Sequence, residues 1–178
     1  MPLTAIGYHG TTKEAADRLV RENFQLSENS WEWLGHGVYF WQDAPKRARE
    51  WARSWLSLRK KYDGPVAVVA AEIDLTNFVD MLDLEGVQRM RDVVESFAQQ
   101  DDGSTRVNEP PKNYLDCAIF NFATKMLSSE GVRVAGYRAC CVEGTRLVEH
   151  SPIYDRSHVQ LAVLDQSTIL RKWLVKND

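Results

Sequence analysis

Gly35-His36-Gly37-Val38-Tyr39-Phe40-Trp41, read together with Tyr8-His9-Gly10-Thr11 upstream, decides the fold. In the later stretch two glycines free the backbone, and the Val-Tyr-Phe-Trp run that follows favours a strand. Side chains alternate along a strand, so Tyr39 and Trp41 share one face while Val38 and Phe40 share the other. The earlier stretch sets an imidazole at a strand end, beside a glycine that a ligand can approach closely and just before a helix start. Each stretch also has a plain reading. His9 can serve a turn by bonding a neighbouring carbonyl, and two of the rings of the aromatic strand belong in a core.

Working outward, Ala5 to Tyr8 predicts a short strand, and Thr11-Thr12-Lys13-Glu14 matches a capping box in which Thr11 caps a helix. Ala15, Ala16, Leu19 and Val20 give that helix its apolar stripe, and Asn23 is its expected left-handed stop. Pro45 suits the first turn of a second helix. There Ala48, Trp51, Ala52, Trp55 and Leu58 fall at helical spacing, with Lys46, Arg47, Arg49, Arg53, Arg59, Lys60 and Lys61 forming a cationic face. Val66 to Ile73 reads as a buried strand. Val87, Met90, Val94 and Phe97 outline a helix, Gln99 to Asn113 a long loop, and Leu115 to Met126 a further helix closed by Gly131. The short apolar runs 132–134, 139–142, 159–163 and 169–175 predict strands of an α+β domain with antiparallel sheets. No Gly-x-Gly-x-x-Gly follows a strand and no Gly-Lys-Ser/Thr phosphate loop occurs, so neither a Rossmann nor a P-loop reading competes.

At 178 residues, 44% hydrophobic and 26% charged, a single domain spanning 1–178 is expected. Met1 to Gly7 shows no basic lead into an apolar run, and no window approaches 18 uninterrupted apolar residues, so a cytoplasmic protein that does not span a membrane is expected. Cys117, Cys140 and Cys141 lack C-x-x-C spacing, and His36, His150 and His158 are scattered. No metal site is therefore expected, and an adjacent cysteine pair in an apolar run reads as packed and inert. A net charge of −3 argues against a protein held to nucleic acid by its overall field.

The order His-Gly-Thr, then Gly-x-Gly-Val-Tyr-Phe, resembles the diphtheria-toxin-like and PARP-like ADP-ribosyltransferase superfamily, whose signature is a His, a Tyr and a third residue near the C-terminus. Those first two residues are His9 and Tyr39. Lys46 and Ala48 stand at spacings seen in PARP-like domains, and Trp51 falls one position from a second stacking aromatic. The third motif resembles Ser157 to Asp165, followed by Ile169-Leu170-Arg171, with Gln160 where many relatives carry Glu. The resemblance implies an α+β ADP-ribosyltransferase fold in which two antiparallel β-sheets form a central NAD cleft with flanking helices. It also implies NAD as substrate, with Tyr8, His9, Gly10, Thr11, Gly37, Tyr39 and Trp51 around it and no metal. In it His9 bonds a ribose hydroxyl, the Gly10 backbone holds the nicotinamide amide, and Tyr39 stacks on the ring.

Gln160 can hydrogen-bond the ribose but cannot be a general base, which points to one transfer onto a thiol, nucleobase nitrogen or phosphate rather than to chain elongation. Glu143, Glu149 and Asp155 precede it as candidate replacement carboxylates. Three activities stay open: mono-ADP-ribosyl transfer to protein, RNA or DNA; NAD hydrolysis; and noncatalytic binding of NAD or ADP-ribose. Small bacterial relatives of this kind include toxins with antitoxin or chaperone partners and phage-defence factors. The basic helix 46–61 is a candidate nucleic-acid surface, its plain reading being a solvated face with both tryptophans buried.

Overall fold

The computed structural model describes residues 3–100 and 106–176. In chain order the elements are β1 (Thr4–Thr12), α1 (Lys13–Leu19), β2 (Val38–Gln42), α2 (Pro45–Lys60), β3 (Val66–Asp74), β4 (Phe78–Asp80), α3 (Leu84–Gln100), α4 (Tyr114–Ser129), β5 (Gly136–Cys141), β6 (His158–Val163) and β7 (Ile169–Leu174). The strands form one curled seven-stranded sheet in the order β4-β5-β6-β2-β1-β3-β7. All neighbours are antiparallel except β4 and β5. The expected two sheets are therefore halves of one. The halves meet at β1 and β2, which share only the register pairs Gly7↔Gln42 and Tyr8↔Trp41, whereas β1 runs against β3 from Thr4↔Asp74 to Thr12↔Val66.

Packing explains this layout. Alternation along β1 and β2 puts Gly7, His9, Val38 and Phe40 on one face, where Ala16, Phe24, Val69, Ile73, Leu161 and Val163 complete a core. An ideal Cβ on Gly7 would lie 2.7 Å from the Phe40 Cβ, so only glycine lets that ring lie across β1. The opposite face is divided between two covers. Toward β5 and β6, α3 and α4 bury Leu34, Met90, Val93, Ala123, Tyr137 and Ala162, and toward β1 and β3, Ala48 of α2 packs over Trp41 and Val68. Arg138 reaches from β5 to Asp80 at 2.8 Å and to Gln42 at 2.8 Å, a half-buried tie across three strands.

Several local expectations shift by a residue or more. Thr12 rather than Thr11 caps α1, accepting from the Ala15 amide at 3.1 Å, and α1 ends at Leu19, well before Asn23. On α2 the buried positions are Ala48, Ala52 and Leu56, an i, i+4, i+8 row, and Leu58 is 80% exposed. Residues 132–134 are not a strand, and β4, only three residues long, carries too little pattern to read from sequence. Gly131 closes α4 as expected, at φ 81°. Of the loop expected over 99–113, residues 101–105 lie outside the described residues. Among the described residues no helix is long and apolar enough to cross a membrane.

Candidate functional site

The candidate site lies at the weak join between β1 and β2. The Asp43 amide donates to the Ile6 carbonyl at 2.9 Å, on the β2 side, and the Lys13 amide donates to Pro65 at 2.9 Å, on the β3 side. These two bonds fix the phase of β1: the amides and carbonyls of Ile6, Tyr8 and Gly10 face β2, and those of Gly7, His9 and Thr11 face β3. The β1–β2 ladder stops at Tyr8↔Trp41. Gly10 therefore directs an amide N–H and a carbonyl oxygen into the gap where a rung to Tyr39 would have been. On the other bank the Tyr39 carbonyl, in phase with Trp41, accepts instead from His9 Nδ1–H at 2.9 Å. A side chain stands in for a backbone rung, and the banks stay parted beyond it.

His9 rests against Phe24 and Phe40, with ring centroids 5.2 and 5.7 Å away. Burial pushes its pKa below the ordinary histidine value, and the Tyr39 carbonyl only partly offsets this. The ring is thus neutral near pH 7. With Nδ1 holding the proton, Nε2 keeps a lone pair that can accept from a hydroxyl.

Tyr39 lies on the opposite face, among the residues around Leu34 and Ala162. Its hydroxyl donates to the Gly35 carbonyl at 2.7 Å and accepts from the Leu34 amide at 3.0 Å. Burial first, and then Glu32, hold the phenol pKa well above its usual value, so the hydroxyl keeps its proton. It latches the turn Trp33-Leu34-Gly35, in which Gly35 has φ 75°, a conformation costly for any other residue. Trp33 completes the circuit by donating its Nε1–H to Gln160 Oε1. Gln160 is buried on β6 opposite Trp41 and Ala139. With Oε1 engaged, its remaining chemistry is that of an amide donor.

The structure thus brings Tyr39 and Gln160 to one face of the β2–β6 pair and His9 to the other. Only a group lodged in the gap itself meets both faces. Three of the expected site residues also have roles in the fold. The need for glycine at position 10 comes from α2: an ideal Cβ would sit 2.0 Å from the Ala48 carbonyl and 2.8 Å from the Ala52 Cβ. Gly37 spends its amide and carbonyl on Ser27, at 3.0 and 2.8 Å. Trp51, 40% exposed rather than buried, stacks on Trp55 at 5.4 Å and leans on Trp41 at 5.1 Å, which gives its ring partners other than Tyr39. Tyr8 packs beside Trp41 beneath α2, and Thr11 is half-buried on the His9 side.

The candidate replacement carboxylates are engaged elsewhere. Glu143 pairs with Arg47 at 3.0 Å, Glu149 lies beside exposed His150 at 3.4 Å, and Asp155 accepts from the Thr145 amide at 2.8 Å. On the basic helix, Lys46, Arg53 and Lys61 are exposed, while Arg47 is half-buried and also bound to Glu50 at 2.6 Å. The side chains of Arg59 and Lys60 lie outside the described residues. Residue patterning does not reveal a cavity of about 570 Å³ beside α4, lined among others by His36, Arg106, Tyr114, Asn121 and Lys125. The length of the 99–113 loop, which supplies part of its wall, was the only signal. Comparison with protein-family models, curated proteins and solved structures gives no match for this chain.

Proposed function

We propose that the chain is an NAD-dependent mono-ADP-ribosyltransferase working from the β1–β2 gap. The observation that carries this reading is the interrupted ladder, which presents one donor and one acceptor of Gly10 side by side, with His9 and Tyr39 on its two banks. The carboxamide of nicotinamide offers the complementary acceptor and donor, and Tyr39 offers a flat ring for the pyridinium. His9 Nε2 accepts from a ribose hydroxyl, and the Gln160 amide donates to another. The bond between nicotinamide and the anomeric carbon breaks through an oxocarbenium-like state, and nicotinamide leaves neutral without needing an acid. The acceptor nucleophile then bonds that carbon. With Gln160 unable to take a proton, acceptors that need little base assistance are favoured: a thiol, a nucleobase nitrogen or a phosphate. Exposed Lys46 and Arg53 on α2 favour an acceptor with a phosphate backbone.

The amide at position 160 also favours two weaker activities of the same gap, NAD hydrolysis and binding without turnover. One experiment separates all three. The protein is incubated with NAD labelled in its adenylate part and a cell extract, and the products are treated with protease, RNase or DNase. Nuclease-sensitive or protease-sensitive label identifies the acceptor class, free ADP-ribose alone shows hydrolysis, and unchanged NAD refutes both enzymatic readings. His9→Ala must abolish turnover while circular dichroism stays native, Tyr39→Phe must lower it in protein that is still folded by circular dichroism, and full activity in both refutes the site. Gln160→Ala should cost about 10- to 1000-fold, the loss of one or two transition-state hydrogen bonds.

A further inference from the structure

Residues that the sequence scatters come together at the far end of the β5–β6 pair. Cys141 ends β5 and faces His158, the first residue of β6, as a direct cross-strand pair. Glu143 follows Cys141 by two residues. Cys141 Sγ, a Glu143 carboxylate oxygen and one ring nitrogen of His158 all lie within 4.8 Å of one another. Around a tetrahedral zinc ion with ordinary bond lengths, ligand atoms stand about 3.3 to 3.8 Å apart, so small side-chain rotations close the set.

A second observation concerns His158 alone. Its side chain is only 5% exposed, and Nδ1 lies 2.9 Å from the Arg156 carbonyl. Nδ1 is also the ring nitrogen placed beside the cluster, 3.8 Å from a Glu143 carboxylate oxygen, while Nε2 is buried without a hydrogen-bond partner. Ligation through Nδ1 requires the ring to give up its bond to the Arg156 carbonyl and carry its proton on Nε2, the other neutral tautomer.

We propose that Cys141, Glu143 and His158 form a binding site for a thiophilic divalent cation, zinc being the natural occupant. One sulfur, one nitrogen and one carboxylate suit zinc and not magnesium or calcium, which take oxygen ligands. Binding displaces the Cys141 thiol proton to solvent as the thiolate bonds the ion. Three protein ligands leave a fourth position for water. Arg47, now on Glu143 at 3.0 Å, and Arg156, on Glu50 at 2.8 Å, are the positive neighbours of the site. Removing Arg47 frees the Glu143 carboxylate and should tighten binding. The ion would clasp both ends of the exposed 142–157 segment, two residues along β6 from Gln160.

The test is titration of the chelator-treated full chain with Co²⁺ and then Zn²⁺. The expected result is one equivalent of Co²⁺ bound with a thiolate-to-cobalt charge-transfer band, bleached by Zn²⁺. Cys141→Ser should remove the band, Cys140→Ser should leave it intact, and His158→Ala should weaken binding at least 10-fold with the fold retained by circular dichroism. Arg47→Gln should strengthen it. No band, or a band that survives Cys141→Ser, overturns the proposal. These readouts do not involve NAD, so the site stands or falls apart from the reading of the β1–β2 gap.

Discussion

Tyr39→Phe isolates the structural part of Tyr39 from the stacking role proposed for its ring. The substitution keeps the ring but deletes the hydroxyl, which donates to Gly35 at 2.7 Å and accepts from Leu34 at 3.0 Å. Leu34 is fully buried, so its amide cannot turn to water for a substitute. Each lost bond costs about 1 kcal/mol net, and a buried amide left without an acceptor costs about 1 to 3 kcal/mol, so the expected loss is about 2 to 4 kcal/mol. Urea unfolding should show this as a lower midpoint at unchanged slope. The same turn carries Trp33, whose Nε1–H holds Gln160. Loosening the turn should therefore lower turnover of NAD, but less than Tyr39→Ala, which also removes the ring. A loss of stability below about 0.5 kcal/mol, within the usual range of surface substitutions, would refute the latch.

Two further outcomes follow from β1. Because burial lowers the native pKa of His9, the unfolded chain takes up this proton first as pH falls. The contribution of neutral His9 is fully present above about pH 6.5 and is lost as pH drops through that value toward the lowered native pKa, with a limiting slope of about 1.4 kcal/mol per pH unit. The difference between wild-type and His9→Gln unfolding curves measures it, and identical pH dependence in both would contradict a buried neutral ring. Gly10→Ala drives a methyl toward the Ala48 carbonyl, so it should destabilise by about 1 to 3 kcal/mol or more by overpacking, and calorimetry should show a clear fall in Tm.

Strong periodicity and special residues made most of the frame legible in advance. Pro45 opens α2, Gly131 closes α4, and the branched run over 66–73 is the buried strand β3. What the sequence hid depends on contacts between distant segments. Position 10 is a glycine because α2 packs onto β1, a fact set by Ala48 and Ala52, and no local rule separates this from a close approach by a ligand. The face occupied by each signature residue was half legible: alternation correctly paired Tyr39 with Trp41, but where the β1–β2 ladder stops depends on the path of the loop between them. That stopping point is what gives the motif chemical meaning. Had the ladder continued one rung past Tyr8↔Trp41, Gly10 and Tyr39 would have consumed each other's backbone groups and His9 would have had no carbonyl to take. Because it stops there, Gly10 directs a backbone donor and acceptor into the gap and the Tyr39 carbonyl is left for the neutral imidazole of His9.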